Sequence, residues 1–212
     1  MTKQEQRDLV SSVADAAVGW LREVQNPDSG LPSDREGSRS CTWTTSGLLW
    51  AAWCAGSQLT ESHLRRALAW VSSHLNDDGG VPIVAYGDYS ITDATAQTAL
   101  ACSLLLAETN CGRTAETFRS CLRWLLDKRL THEGWNWRPS AEPSRTASTC
   151  FALVALRAGH RFFPDLVDEI TTAQNEALAW LRSSQHRSGA WGSYAGDILQ
   201  PAITGFEYRE QR

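Results

Sequence analysis

The sequence predicts an all-α chain, an incomplete or small α/α toroid of about four two-helix repeats, with residues 1–212 forming a single domain. Three recurrences lead there. A tryptophan anchor occurs as Ala17-Val18-Gly19-Trp20-Leu21, Ala67-Leu68-Ala69-Trp70-Val71, Cys121-Leu122-Arg123-Trp124-Leu125 and Ala177-Leu178-Ala179-Trp180-Leu181, at spacings of 50, 54 and 56 residues. A glycine turn follows each anchor: Asn26-Pro27-Asp28-Ser29-Gly30, Asn76-Asp77-Asp78-Gly79-Gly80, His132-Glu133-Gly134-Trp135 and His186-Arg187-Ser188-Gly189-Ala190-Trp191. Thr and a small residue come 22 to 25 residues after each tryptophan, as Thr45-Ser46, Thr95-Ala96, Thr146-Ala147 and Thr204-Gly205. Each repeat therefore reads as helix, glycine turn, short loop, second helix.

The first helix of each pair carries an apolar stripe. Leu64, Leu68, Val71 and Leu75 recur at helical spacing, with Arg65, Arg66, Ser72 and His74 on the other side, so one face meets solvent. The second helices, expected near 44–56, 92–108 and 145–159, lack a polar face, and a helix apolar all round must be enclosed. Gly56, Gly112 and Gly159 mark stops, where a residue tolerant of positive φ is favoured. Thr60, Asp93 and Ser144 are candidate N-caps, and Pro164 suits the first turn of the fourth outer helix. Helices of the two kinds in alternation suit an outer ring around an inner one.

At 42% hydrophobic and 21% charged, 212 residues can bury a substantial core. The formal charge of -4, with no basic cluster, supplies no footprint for nucleic acid or an anionic membrane. The longest apolar run, residues 98–107, is too short to span a bilayer, and Met1-Thr2-Lys3-Gln4-Glu5-Gln6 is too polar to open a secretory signal, so a cytoplasmic location is expected. Cysteines at 41, 54, 102, 111, 121 and 150 form no Cys-x-x-Cys pair and read as buried free thiols.

The Trp-Leu-x-x-x-Gln anchor, the glycine turn with an aromatic after it (Gly134-Trp135, Gly189-Ala190-Trp191-Gly192) and the Thr-Ala helix opening resemble the repeats of the squalene-hopene cyclase and protein prenyltransferase superfamily. The resemblance covers essentially the whole chain and is carried by structural signatures, so it speaks to fold before activity. In class II terpene cyclases of that superfamily, an Asp-x-Asp-Asp-Thr-Ala motif supplies the acid that protonates an alkene or epoxide. Ile91-Thr92-Asp93-Ala94-Thr95-Ala96 keeps only the central Asp, so Asp93 is the candidate catalytic acid, without its companion carboxylates. The simpler role for Asp93 is a helix N-cap. The zinc site of the prenyltransferases needs an Asp, a Cys and a His on inner helices. His63, His74, His132, His160 and His186 instead fall on outer helices, turns or helix ends, so neither a metal nor another cofactor is expected.

Trp43, Trp50 and Trp53 share one face of a helix and are candidate ligand-binding residues, able to line a chamber or simply to fill space between layers. Asn76-Asp77-Asp78-Gly79 could hold a metal but is also what a tight turn selects. Closed toroids usually take about five to six helix pairs, and this array ends part-way through its fourth inner helix. The expected function is therefore binding of an apolar small molecule, or of a protein partner or second copy docked at the open end. A cyclase-type isomerase or lyase using Asp93, and a fragment or subunit of a larger toroid enzyme, are the alternatives.

Overall fold

Thr42, Thr92 and Thr146 each open a helix, and the three helices they open lie side by side as one layer. The computed structural model describes residues 23–33, 39–54, 61–108, 111–139 and 143–194, with isolated positions at 2, 4, 12, 16, 19 and 20. Among these are six α-helices and no strand: α1 (Thr42–Cys54), α2 (Glu61–Ser72), α3 (Thr92–Glu108), α4 (Gly112–Asp127), α5 (Thr146–Gly159) and α6 (Val167–Ser184), the last entered through a 3-10 turn, Pro164–Leu166. Helix α3 is flanked by α1 and α5, while α2, α4 and α6 cover that layer from the outside. The inner segments agree with the sequence expectation to within about two residues. Gly56, Thr60 and the tail bearing Thr204 and Gly205 lie outside the described residues.

The outer helices bury the stripe that the spacing predicts. Leu68 and Val71 of α2, Phe118, Cys121, Leu122 and Leu125 of α4, and Ile170, Ala173 and Ala177 of α6 are all enclosed. In the inner layer α3 is buried almost throughout, including Thr95, Gln97, Thr98 and Ser103. Two of those hydroxyls bond back to carbonyls one turn earlier, Thr95 to Ile91 and Thr98 to Ala94 at 2.8 Å, and so remain satisfied in an apolar setting.

The glycine turns are built alike. The N–H of Asn26, Asn76, Leu130 and His186 donates to the carbonyl four residues on, at 2.9 to 3.0 Å, and closes each turn. Asp28 and Asp78 brace the first two: Oδ1 of each accepts from the following Gly30 or Gly80 N–H at 3.0 Å and from Ser40 or Ser90. In the third, His132 occupies the Asp position, and Ser144 takes the Gly134 N–H directly at 3.0 Å. Asp78 adds a reach into the next repeat, where its Oδ2 accepts from Trp124 Nε1 at 2.7 Å. Asn76-Asp77-Asp78-Gly79 is thus a braced turn. Among the described residues no group of three or more His, Cys, Asp or Glu could hold a metal ion.

Glycine is required at position 80 by close approach, since a Cβ there would lie 2.5 Å from both Trp124 Nε1 and Ser90 Cβ. Gly30 meets Trp70 and Ser40 in the same way. Trp70 and Trp124 therefore each seat on the glycine turn of the repeat before, whereas Gly134 of the third turn is approached by Thr149. Trp70, Trp124 and Trp180 are buried, whereas Trp20 is 43% exposed, so the four anchors are not equivalent.

Other expectations need correction. Gly112 begins α4 rather than ending α3. Gly159 does end α5, but its φ is not positive; a Cβ there would strike Leu122 Cδ1 at 2.6 Å, so packing explains the glycine. Arg145, not Ser144, holds the N-cap position of α5. Cys41, Cys102 and Cys121 are buried free thiols, and desolvation pushes Cys121 up to about 12. Cys111 and Cys150 are exposed instead, and the Cys54 side chain lies outside the described residues.

Trp124→Ala should destabilise by about 3–5 kcal/mol, as for other enclosed large aromatics, and Trp20→Ala by much less; urea unfolding separates the two. Gly80→Ala should be strongly destabilising because Trp124 and Ser90 cannot both withdraw.

Burial alone would raise the Asp78 pKa, but hydrogen bonds from Ser90, Trp124 and the Gly80 N–H outweigh it and leave the carboxyl below its ordinary value. With the native value below the unfolded one of about 3.9, this stabilisation is complete above that pH and is lost as pH falls through the lowered native value. Asp78→Ala should therefore cost about 1–3 kcal/mol at pH 7, and the gap to the parent should narrow in acid. Denaturant titrations at pH 7 and pH 3 test it, and an unchanged gap would remove the carboxylate from this role.

Candidate functional site on the inner helices

Two threonines per inner helix set its register. The first reaches forward to the next repeat: Thr42 donates its hydroxyl to the Pro82 carbonyl, Thr92 to that of Asn136 at 2.6 Å, and Thr146 to that of Gly192 at 2.8 Å. Backbone N–H groups at the same helix starts donate to the adjoining carbonyls, Trp43 to Ile83 at 3.3 Å, Thr92 to Trp137 at 3.0 Å and Thr146 to Ser193 at 2.9 Å. These are orphan donors of a helix N-terminus, satisfied by a neighbouring loop. The second threonine reaches back to its own turn: Thr45, Thr95 and Thr149 accept from the N–H of Leu31, Val81 and Trp135 at 2.9 to 3.0 Å.

This register corrects the sequence alignment of the third repeat. Thr146 is the counterpart of Thr42 and Thr92, and Thr149 is the counterpart of Thr45 and Thr95. Each second threonine then stands 25 residues after its tryptophan, which was the signal available in the sequence. In the fourth repeat that offset falls on Gly205 rather than Thr204, outside the described residues.

In register, Trp43, Asp93 and Ala147 stand second in their helices, and Gly47, Gln97 and Phe151 stand one turn later. Asp93 is therefore one residue inside α3 and not its N-cap. Its Oδ1 accepts from Ser148 Oγ of α5 at 2.6 Å, which ties two inner helices together. No basic group and no second carboxylate pairs with it among the described residues. Ser46 and Thr98 join α1 to α3 in a similar way, at 2.7 Å. Gln97 is 6% exposed, and its Oε1 has no partner among the described residues. That oxygen faces Gly47, where an added Cβ would sit 3.1 Å away.

Trp43 is 43% exposed, and Trp50 is half-buried against the core, while the Trp53 side chain lies outside the described residues. On α5, Ala147, Cys150 and Val154 are exposed at helical spacing, Val154 by 51%. Apolar side chains are thus exposed on α1 and α5, while α3 between them is buried almost throughout, with Asp93 half-buried at its start. Gln97 and Ser148 were missed from the sequence because a polar residue in an apolar helix is not by itself a signal of function.

No protein-family model matches the chain. The chain is similar to the drimenyl diphosphate synthase of Streptantibioticus cattleyicolor, 28% identical over 202 residues, covering 93% of this chain and 35% of that protein. It spans about a third of the relative's length. This distant, partial likeness to a terpene-cyclase-like enzyme points toward the terpenoid cyclase superfamily, as the repeats do. No described helix is long and apolar enough to cross a membrane.

Asp93→Asn should keep most of the stability, since its remaining oxygen still accepts from Ser148, whereas Asp93→Ala should lose about 1–2 kcal/mol. Equal losses for the two, read from denaturant midpoints, would mean that the Ser148 bond contributes nothing.

Proposed function

We propose that this chain is a terpenoid-cyclase-like α/α-toroid module that binds an apolar ligand or a protein partner rather than acting as a complete cyclase by itself. The observation carrying this reading is the apolar surface on two inner helices, where Trp43 of α1 and Ala147, Cys150 and Val154 of α5 are exposed. Apolar side chains grouped on one face mark binding surfaces more often than inert ones. Asp93 argues the same way, because its described surroundings contain no second acid to set the protonation balance that alkene protonation demands.

A second reading keeps Asp93 as the acid of an isomerase or lyase, in this chain or in a larger toroid of which it forms part. The likeness to drimenyl diphosphate synthase, of which the chain spans about a third, favours it. Incubation with polyprenyl diphosphates and analysis of the extracts separates the readings. The binding role expects no cyclised product, and expects a polarity-sensitive dye to bind the protein and to bind Trp43→Ala several-fold more weakly. Cyclised product that disappears in a folded Asp93→Asn variant would overturn it in favour of acid catalysis.

A further inference from the structure

We propose that the neighbouring inner-helix positions Trp43 and Gly47 of α1 and Asp93 and Gln97 of α3 take an organic ammonium group bearing N–H donors on an apolar body. The inference rests on the inner face being a ligand surface and adds the chemistry of its polar end. The Asp93 carboxylate is half-buried, and its one hydrogen bond among the described residues, from Ser148 at 2.6 Å, brings no positive charge. A carboxylate withdrawn from water without a counter-charge is stabilised by a cation beside it. One turn along α3, the Gln97 carboxamide is more than nine-tenths buried, and its oxygen has no donor. It is turned toward part-exposed Gly47 on α1, the one place in that row where the neighbouring helix contributes no side chain. Any larger residue at position 47 would press on the carboxamide.

Trp43 stands one turn before Gly47 on the same face of α1 and in register with Asp93, with its indole half exposed. The row therefore combines a negative charge, a neutral acceptor lacking a donor, and an aromatic surface. A primary ammonium has three donors and one positive charge, which matches all three. A quaternary ammonium lacks the donor for Gln97, and an alcohol lacks the charge for Asp93. Cys150 and Val154, exposed at helical spacing on α5, suit the apolar body of such a ligand.

Calorimetric titration of the full chain with hexylammonium, hexyltrimethylammonium and hexanol tests the proposal. Hexylammonium should bind about tenfold more tightly than either comparator, the ratio expected of one charge-assisted hydrogen bond. Asp93→Asn, which keeps an acceptor for Ser148, and Gln97→Leu should each bring hexylammonium down to the level of hexanol, with hexanol binding unchanged. Gln97→Met serves if the Leu variant fails to fold by circular dichroism. Equal binding of hexylammonium and hexanol, or a preference that survives both substitutions, would overturn the ammonium site and leave the apolar-ligand reading standing. Failure of all three probes to bind would overturn the small-molecule reading as well.

Discussion

Everything in this array depends on the forward bond from the first threonine of each inner helix to the loop of the next repeat. A helix start carries N–H groups with no partner inside the helix, and a loop carries carbonyls with none inside the loop. Thr92 joins the two deficits: its N–H and hydroxyl take the Trp137 and Asn136 carbonyls. Because the Thr42 and Thr146 hydroxyls reach forward in the same way, the three inner helices start at one level and lie in one register. Two buried sets of polar groups are satisfied at once, and the layer is aligned as a consequence.

The second joint between repeats is the seat of a tryptophan on a glycine turn. Trp124 is nearly inaccessible, and its indole nitrogen is committed to Asp78 of the preceding repeat. A flat ring of that size approaches backbone only where no Cβ intervenes, so Gly80 and Trp124 constrain one another. Trp70 and Gly30 repeat the arrangement without the indole-to-Asp bond. The outer surface contributes less, since the Arg119–Asp165 and Arg123–Glu169 pairs between α4 and the start of α6 are largely solvent-exposed.

Fixing the inner helices in register has a functional side. It brings residues of unlike chemistry into rows: Trp43, Asp93 and Ala147 in one, Gly47, Gln97 and Phe151 in the next. Structural threonines occupy the buried faces of the helices, and the variable positions come to the open side. A carboxylate and a carboxamide in such a row are suited to recognising the polar end of a largely apolar molecule. Among the described residues no second carboxylate pairs with Asp93.

The sequence by itself determined the helical character, the inner and outer roles, and the turns. Those follow from local quantities: the 3.6-residue period of Leu68 and Val71, the unbroken apolarity of α3, and the glycines that a tight turn or a close ring demands. It also named Asp93 and Trp43, but not what they touch. Tertiary structure decided that Asp93 lies inside its helix and meets Ser148, that Gln97 faces Gly47, that Trp20 is exposed while Trp124 is enclosed, and that Thr149 rather than Thr146 matches Thr95. The contacts of Asp93, Gln97 and Trp124 depend on how one repeat sits against the next, across more than forty residues, and no local period in the chain encodes such a distance, whereas Thr149 is fixed by the Trp135 N–H of its own turn.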